Sequence, residues 1–513
     1  MEKQVEQNID IVREELPLRR FAGEGLSQAV VEGEVALPGG LREETRVLLC
    51  EAMAVLERSN AENGRVQADG KVTFHVLYTQ GDPTKVNALE ASADFSHTMD
   101  VPGAQSGMTA PVSLMVEHAQ ASAQGGRLRL TGILRVQARV FTDDALSVVS
   151  GIRGADGLMT HSENMQALRT VGFGVQDVLI RDECELGSAL QITDTLYATA
   201  MATVQEASGG EGRASISGTI QLEVTHLSDM PSRPVVITRH AIPFEETVIL
   251  SGEAGDELCC SAIVKDVAVL SQEGSEDGER TLRAEVLLGL RAESMQAREV
   301  CLLLDAYTTQ GDVLMLETRN VRRATAHRQL HTAESGKLTL MTDGHPPVRT
   351  PLKATLRPVI TELTQNGGRL TAEGMMEAAL LYMTDDDPAP QVYQTEEPFR
   401  AVFACEPGLM ESLTLTAANI DPVTVTSDRV EVKYILHLDC YDVQLSPRPL
   451  VMQVSAHAAE PEEPGILLCF SQPKETVWDL AKRYRVSPDS LMQMNHGLQD
   501  SSAEGQRVIL WKR

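Results

Sequence analysis

The sequence has few aromatic residues, which make up 4% of its 513 positions, and both tryptophans lie near the C-terminus. It also has no apolar run close to the roughly 18 residues that a membrane-spanning helix requires. The first eight residues, MEKQVEQN, contain no apolar segment of the kind that a secretory signal needs. We therefore expect a globular protein that is not exported, long enough for three or four domains.

Cysteine occurs at eight positions, which include no CxxC pair and no regular framework. Several of these cysteines occupy apolar strand positions, where a free thiol behaves as a small hydrophobic group. Without an export signal, the reducing cytosol is the natural compartment for such thiols. The adjacent pair Cys259 and Cys260 is a candidate for metal or redox chemistry, but its place beside an apolar strand favours simple packing.

Basic residues are outnumbered, with 45 Lys and Arg against 73 Asp and Glu, and the formal net charge is −28. Residues 465–513 carry seven basic and five acidic side chains, so the rest of the chain carries −30. An acidic body of this kind repels nucleic acid and anionic lipid headgroups, and we expect neither as its partner.

Catalytic and metal-binding motifs are missing as well. The sequence contains no GxxxxGKS/T loop, no HExxH, no GxSxG and no EF-hand loop. Its 12 histidines are scattered along the sequence and form no recognised metal-binding motif. The aspartates at 385–387 precede Pro388, which is typical of a solvated turn rather than a calcium site. We therefore predict no enzyme, no catalytic residue, no metal and no cofactor.

A weak internal repeat occupies most of the chain. Three alternating apolar runs each begin after a glycine, at residues 70–78, 218–226 and 374–382. A phenylalanine follows each glycine by 25 or 26 positions, and a second alternating run then opens with arginine. These residues are Phe95, Phe244 and Phe399, and Arg127, Arg280 and Arg429. Alternation with period two predicts antiparallel strands with one buried and one wet face.

The predicted fold is mainly β, with three tandem antiparallel β-sandwich-like repeats followed by a small βααβ module. Residues 1–24 are predicted to form an amphipathic helix through Val5, Ile9, Val12 and Leu16, which packs on the first β-domain or docks to a partner. The predicted domains are a helix at 1–24, β-domains at 25–165, 170–325 and 328–457, an acidic, proline-rich linker at 458–465, and the module at 466–513.

The C-terminal module can be interpreted from local patterns. Thr476 with Asp479 is close to a capping box, and the apolar residues that follow it lie on one helical face. Ser487 with Pro488 is typical of the start of a second helix. Short apolar runs at 466–470 and 507–511 predict one strand before the helices and one after them.

The run at 476–487, followed by Leu491, Asn495 and residues 505–510, resembles the LysM family. That resemblance implies a βααβ module, of a type best known for binding glycans that contain N-acetylglucosamine. Three β-repeats followed by one LysM module resemble the SPOCS-domain (DUF3794) family of spore-forming Firmicutes. The order of the domains resembles that of the clostridial spore-coat morphogenetic members of this family. The resemblance implies a scaffold in the mother-cell cytoplasm, at the forespore surface. There its LysM module would bind the coat's basal ATPase, SpoIVA, in place of wall glycan.

The module departs from glycan-binding LysM sequences in two loops. Their common Gly-Asp-Thr is here Lys474-Glu475-Thr476, and their common Asn-Pro is Asn495-His496. A side chain at the glycine position obstructs close approach of a ligand to the backbone. We therefore predict a retained fold with an altered, protein-binding surface. The candidate partner- or glycan-binding residues are Lys474, Glu475, Thr476, Trp478, Met492, Asn495, His496 and Gly497.

Alternatives remain open at this point. Trp478 is either a binding hot spot or simply the core aromatic of the module. The module could still bind peptidoglycan of the cell wall or spore cortex through backbone contacts. An enzyme targeted by LysM would need a catalytic domain within residues 1–455, where we find no acid–base constellation. The favoured function is a non-enzymatic scaffold of the spore coat, whose β-repeats make further protein contacts, for example by pairing of edge strands.

Overall fold

A computed structural model describes residues 9–37, 44–124, 127–253, 255–273, 280–405, 409–459, 465–496, 498 and 506–512. The chain is mainly β, as predicted, and its two α-helices within the described residues lie close to the C-terminus. The strands before residue 458 fall into three consecutive units of six, which we call units 1, 2 and 3.

Unit 1 contains β1 (Asp10–Val35), β2 (Arg46–Glu62), β3 (Arg65–Gln80), β4 (Asp82–Asp100), β5 (Val112–Gln124) and β6 (Arg127–Arg153). Unit 2 contains β7 (Leu158–Leu186), a 3-10 turn (Ser188–Leu190), β8 (Ile192–Gly210), β9 (Arg213–Ser228), β10 (Val235–Ile249), β11 (Glu257–Glu273) and β12 (Arg280–Thr308). Unit 3 contains β13 (Val313–Met341), β14 (Thr350–Asn366), β15 (Arg369–Met383), β16 (Gln391–Ala404), β17 (Leu409–Thr426) and β18 (Arg429–His457).

Each unit has the same strand pairing. Its second, third and fourth strands form one antiparallel meander, and its first strand pairs along the sixth, which also pairs with the fifth. The two sheets enclose an apolar core in each unit. Units 1 and 3 also share a six-stranded sheet in the order β17-β18-β13-β1-β6-β5. The predicted β-sandwich-like repeats therefore correspond to two packed sheets per unit.

The repeated glycine and phenylalanine are cross-strand partners in every unit. The pairs are Gly70 with Phe95, Gly218 with Phe244, and Gly374 with Phe399. A Cβ added to Gly218 would lie 2.8 Å from the Phe244 ring and 2.1 Å from the backbone oxygen of Thr203. The glycine thus leaves room for an aromatic ring and a neighbouring strand, which explains why the two residues recur together.

The predicted N-terminal helix is wrong for the residues that the structure describes, because Asp10–Val35 forms β1. The bulge opposite Val12 and Arg13 lies at Ser150 of β6, so β1 itself keeps its alternation. Ile9 and Ile11 pack in one apolar cluster, whereas Leu16 packs in a second cluster on the other face of the strand. Apolar residues on both faces of β1 imitate helical spacing in the sequence. Val5 lies outside the described residues.

The predicted domain boundaries also need correction. The intervals 165–170 and 325–328 fall inside β7 and β13, the long first strands of units 2 and 3. Bulges interrupt both strands, so their alternation is not continuous in the sequence. Strand pairing gives units at 10–153, 158–308 and 313–457. Most of the predicted linker at 458–465 lies outside the described residues.

The three units meet around one buried ammonium group. Lys353 of unit 3 is fully buried, and its Nζ lies 3.0 Å from Glu223 Oε1 of unit 2 and 3.2 Å from Glu51 Oε2 of unit 1. The Tyr197 hydroxyl of unit 2 donates a hydrogen bond to Glu51. Tyr197 also belongs to an apolar cluster from all three units: Leu48, Leu49, Leu77, Val86, Tyr197, Val235, Leu352, Leu381 and Met383.

This network is charged at neutral pH. Burial alone would lower the pKa of the Lys353 ammonium, but the carboxylates of Glu51 and Glu223 raise it well above its ordinary 10.5. Burial also opposes ionisation of Glu223, yet Lys353 and Arg239 hold the pKa of its carboxyl below the usual value. Lys353 is fully shielded from water, so its charge depends on the carboxylates from the other two units.

We predict that Lys353→Met destabilises the protein by about 3 to 5 kcal/mol. The change leaves the partly buried Glu51 carboxylate without its lysine counter-ion and leaves Glu223 with Arg239 alone. The measurement is the free energy of unfolding in urea at pH 7, followed by circular dichroism. Lys337→Met is the matched control, since Lys337 is exposed and its Nζ lies 2.7 Å from Glu431. The control should change little, and equal losses in the two variants would contradict the importance of the junction.

Candidate functional site in the C-terminal module

The module consists of β19 (Gly465–Phe470), α1 (Val477–Tyr484), α2 (Pro488–Met494) and β20 (Arg507–Lys512). This is the strand, helix, helix, strand order that the sequence predicts. Thr476 caps α1 in a capping box, since its Oγ1 accepts from Asp479 N at 3.1 Å and its own N donates to Asp479 Oδ2 at 3.0 Å. Ser487 caps α2, and Pro488 begins that helix as predicted.

The loop before α1 contains a residue in the left-handed conformation that glycine favours, although that residue is not glycine. Lys474 is exposed and has φ of +62°, a left-handed conformation that favours glycine. Glu475 is largely buried, and its carboxylate accepts from Gln472 N at 2.8 Å and pairs with Arg483 at 3.2 Å. Lys474 therefore has an exposed side chain, whereas that of Glu475 supports the loop.

The end of α2 contributes a second group of the predicted residues. Met492 and His496 are exposed. The Asn495 side chain joins α2 to β20, because its Nδ2 donates to Ile509 O at 2.7 Å and its Oδ1 accepts from Ile509 N at 2.8 Å. Asn495 thus holds the module together. Gly497 lies outside the described residues.

Trp478 lies against unit 2. Its Nε1 donates to Asp305 Oδ2 at 2.8 Å, and its ring makes edge contacts with the rings of Tyr307 and His161. Lys482, one turn further along α1, forms an ion pair with Asp305 at 2.5 Å. Trp478 is therefore neither an exposed residue of a binding surface nor a residue of the module core alone. Its indole lies in the contact between the module and unit 2.

The residues after α1 extend this contact. The Arg485 guanidinium donates to the backbone oxygens of Thr308 at 3.0 Å and Gly311 at 2.7 Å. The Tyr307 hydroxyl donates to Val486 O at 2.7 Å. Burial and the neighbouring Asp305 raise the pKa of Tyr307 to about 12, so this donor keeps its proton at neutral pH. The module is therefore fixed to the end of β12, with α1 as the contacting element.

The opposite side of the module is apolar and exposed. Cross-strand partners on the outer face of the β19–β20 sheet include Ile466 with Trp511 and Leu468 with Ile509, and Phe470 lies beside them. These five residues, which we call the outer face, are each between 43% and 79% exposed. Val508 and Leu510 point the other way and are fully buried under the helices. An apolar patch of this kind marks an interaction site more often than a solvent-facing surface.

The sequence analysis missed the outer face, although a signal for it was present. A sheet covered by helices on one side usually alternates apolar and polar residues. Residues 466–470 are instead apolar at all five positions. Such a run predicts two apolar faces, and in a two-stranded sheet only one of them can be covered by α1 and α2.

Other candidate sites from the sequence have structural roles. Asp387 Oδ1 accepts from Ala389 N at 2.9 Å, which places the aspartate run in a turn. Burial raises the pKa of the Cys260 thiol to about 12, so it is not a reactive thiolate at neutral pH. Among the described residues, no group of three or more His, Cys, Asp or Glu side chains could hold a metal ion.

Comparison with protein families identifies two parts of the chain. Residues 45–124 match the family model described as SipL, SPOCS domain, and residues 472–508 match the LysM domain. The first match spans β2 to β5 of unit 1, and the second covers both helices of the module. No curated protein and no solved structure matches the chain.

The chain is therefore a protein that combines a SipL-type SPOCS domain with a LysM domain, as the sequence analysis predicted. Both are binding modules rather than enzyme families, and together they fit a sporulation protein with a module of the peptidoglycan-binding type. In the part of the chain that the structure describes, no helix is long and apolar enough to cross a bilayer.

We predict that Asp305→Ala loosens the contact between the module and unit 2, because Trp478 and Lys482 lose their shared acceptor. The fluorescence of Trp478, measured in a Trp511→Phe background, should shift to the red as its indole becomes hydrated. Asp312→Ala, in the nearby segment before β13, is the control and should leave the emission unchanged. An unshifted spectrum in Asp305→Ala would show that the contact does not depend on this carboxylate.

We also predict that Lys474→Gly stabilises the module by about 1 kcal/mol, because a side chain in the left-handed region costs about that much. Both tryptophans lie in the module, so urea unfolding followed by their fluorescence reports on it. Lys474→Ala keeps a Cβ and should bring no gain. Equal stability of the glycine and alanine variants would contradict the strained-loop interpretation.

Proposed function

We propose that this protein is a non-enzymatic scaffold of spore-coat assembly, at the forespore surface in the mother cell. Its LysM module binds a coat morphogenetic protein, a SpoIVA-like ATPase, and its β-units make further protein contacts. The observation that carries this proposal is the outer face, a continuous apolar surface on the module. Apolar side chains with tryptophan at their edge suit a protein partner, since such residues dominate protein interfaces.

The position of the module also supports this proposal. Its helix α1 is occupied by unit 2 through Trp478 and Lys482. The outer face lies on the other side of the module, directed away from that contact. A partner can therefore bind the outer face without displacing the module from the body. The predicted loop residues Lys474, Thr476, Met492 and His496 are exposed, and we propose that they border the partner.

Peptidoglycan binding remains the second candidate function, because the LysM match itself is to a glycan-binding type of module. The exposed Lys474 side chain stands where glycan-binding relatives have glycine. A side chain there reduces the access of a sugar to the loop backbone. The observations on this chain therefore favour protein over glycan.

The test compares the binding of purified SpoIVA-like ATPase and purified peptidoglycan to the full chain, measured by biolayer interferometry and sedimentation. We expect saturable binding of the ATPase, weakened about thirtyfold or more by Leu468→Glu at the centre of the outer face, as for a hot spot of about 2 kcal/mol. Leu270→Glu is the matched control, because Leu270 is 61% exposed against 56% for Leu468, and lies on β11 of unit 2.

Two results would contradict the proposal. Unchanged ATPase binding by Leu468→Glu would remove the outer face from the interaction. Saturable peptidoglycan binding without ATPase binding would place the protein among wall-binding LysM proteins.

A further inference from the structure

A cleft of about 700 Å³ lies between unit 1 and unit 3, which is within the size range of ligand sites in proteins. Its walls come from β2 and β5 of unit 1 and from β14, β15, β16 and β17 of unit 3. No described residue of the LysM module lines the cleft. The cleft is therefore a second candidate site, separate from the outer face.

Five of the strands that wall the cleft are edge strands. β5 and β17 are the two ends of the six-stranded sheet, β2 begins one three-stranded sheet, and β14 and β16 are the two ends of another. An edge strand presents backbone N–H and C=O groups that its own sheet does not pair. Residues of these edge strands border the same open space.

Unit 1 offers the longer edges along the cleft. β2 lines the cleft along residues 47–54 and β5 along residues 114–121, with gaps at one position in each stretch. Neither stretch contains proline, whereas β14 contributes Pro358 to the wall and lacks an N–H there. An added strand would therefore pair with β2 or β5, with unit 3 as the opposite wall.

The side chains of the cleft leave room for another backbone. Seven lining residues are alanine: Ala52, Ala54, Ala119, Ala121, Ala378, Ala379 and Ala417. Small side chains next to an edge permit the approach of a neighbouring strand to hydrogen-bonding distance, which is about 4.8 Å between strands. The cleft thus has the shape of a slot for an extended chain.

The charges in the cleft favour a basic segment. Three of the lining residues are acidic (Glu51, Glu377 and Glu396), and the basic ones are Arg357 and His118. Glu377 is already paired, with Arg357 at 2.7 Å and His118 at 2.9 Å, and Glu51 lies 3.2 Å from Lys353 Nζ. Among the residues that the structure describes, Glu396 has no ion-pair partner. Its exposed carboxylate can therefore bind a Lys or Arg side chain.

The cleft is not suited to nucleophilic chemistry. Cys50 is the lining residue with a thiol, and burial raises its pKa to about 12. A thiol in that state is not a nucleophile at neutral pH. Binding is therefore the role that the lining residues support.

We propose that this cleft binds an extended segment of a partner protein as an added β-strand along unit 1. The segment carries small or β-branched residues in alternation and at least one Lys or Arg, which pairs with Glu396. This mode of recognition obtains affinity from main-chain hydrogen bonds and selectivity from alternate side chains. The proposal rests on the proposed scaffold function and assigns to the β-units the protein contacts that a scaffold needs.

The test uses a random heptapeptide library displayed on phage, selected on the full chain. We expect enriched sequences without proline, with alternating small or β-branched residues and one basic residue. A fluorescent copy of an enriched peptide should bind the wild-type chain in an anisotropy titration. Ala119→Trp fills the slot and should weaken binding at least tenfold, and Glu396→Lys should weaken it severalfold while leaving the exposed backbone unchanged.

Ala268→Trp is the matched control. Ala268 occupies the position in β11 of unit 2 that Ala119 occupies in β5, since their cross-strand partners Gly132 and Glu285 each lie five residues after the arginine that opens the sixth strand. It should leave peptide binding unchanged, and circular dichroism should show that each variant is folded.

Three results would overturn the proposal: no enrichment of peptides, equal binding by wild type, Ala119→Trp and Glu396→Lys, or loss of binding in Leu468→Glu. The last result would place the peptide on the outer face. Loss of ATPase binding in Leu468→Glu with retained peptide binding would instead support both sites, so the cleft and the outer face can fail independently.

Discussion

The arrangement of the whole body depends on the burial of one lysine among carboxylates from two other units. Lys353, Glu51 and Glu223 each come from a different unit, and both of these carboxylates reach Lys353 from outside its own unit. A buried charge without a counter-ion costs several kcal/mol, so the units are most stable when all three meet. Apolar clusters shared between the units add to this constraint.

The junction also distinguishes the units from one another. Leu49, Tyr197 and Lys353 occupy the same place in the repeat, since each pairs with the residue seven positions after the repeat glycine. These three different side chains meet at the junction, where Leu49 and Tyr197 share an apolar cluster and the Lys353 ammonium lies 5.2 Å from the centre of the Tyr197 ring. The body that results fixes two surfaces in space. One is the slot between units 1 and 3, and the other is the exposed outer face of the LysM module, which unit 2 holds in place.

Much of the fold could be predicted because its signals are local. The capping residues Thr476 and Ser487 and the period of α1 predict the module, and the glycine–phenylalanine spacing predicts repeated strands because the two residues face each other across a meander. The register of β1 could not be predicted, because apolar residues on both of its faces give it a helical spacing. Its partner residues in β6 also lie 93 to 143 positions away in the chain. Lys353 gave no signal in the sequence, since its carboxylates are distant in the chain.

The candidate site likewise has some features that the sequence predicts and others that it does not. Sequence patterns located the module and its loops, yet the role of Trp478 depends on Asp305, which is 173 residues away. Asp305, which accepts the hydrogen bond from Trp478, belongs to no sequence motif. The outer face, by contrast, could be predicted from the five consecutive apolar residues 466–470 of a short strand. Contacts within a segment leave a pattern in the sequence, and contacts between units do not.

Native-state hydrogen exchange tests the central claim, that the three units form one body around Lys353. The probes are the core amides at Val76, Val224 and Leu380, which are equivalent positions in the third, ninth and fifteenth strands and are fully buried. The account predicts that all three exchange through one opening with the same free energy, which falls together in Lys353→Met. Opening of each unit at its own free energy, unaffected by that substitution, would contradict it.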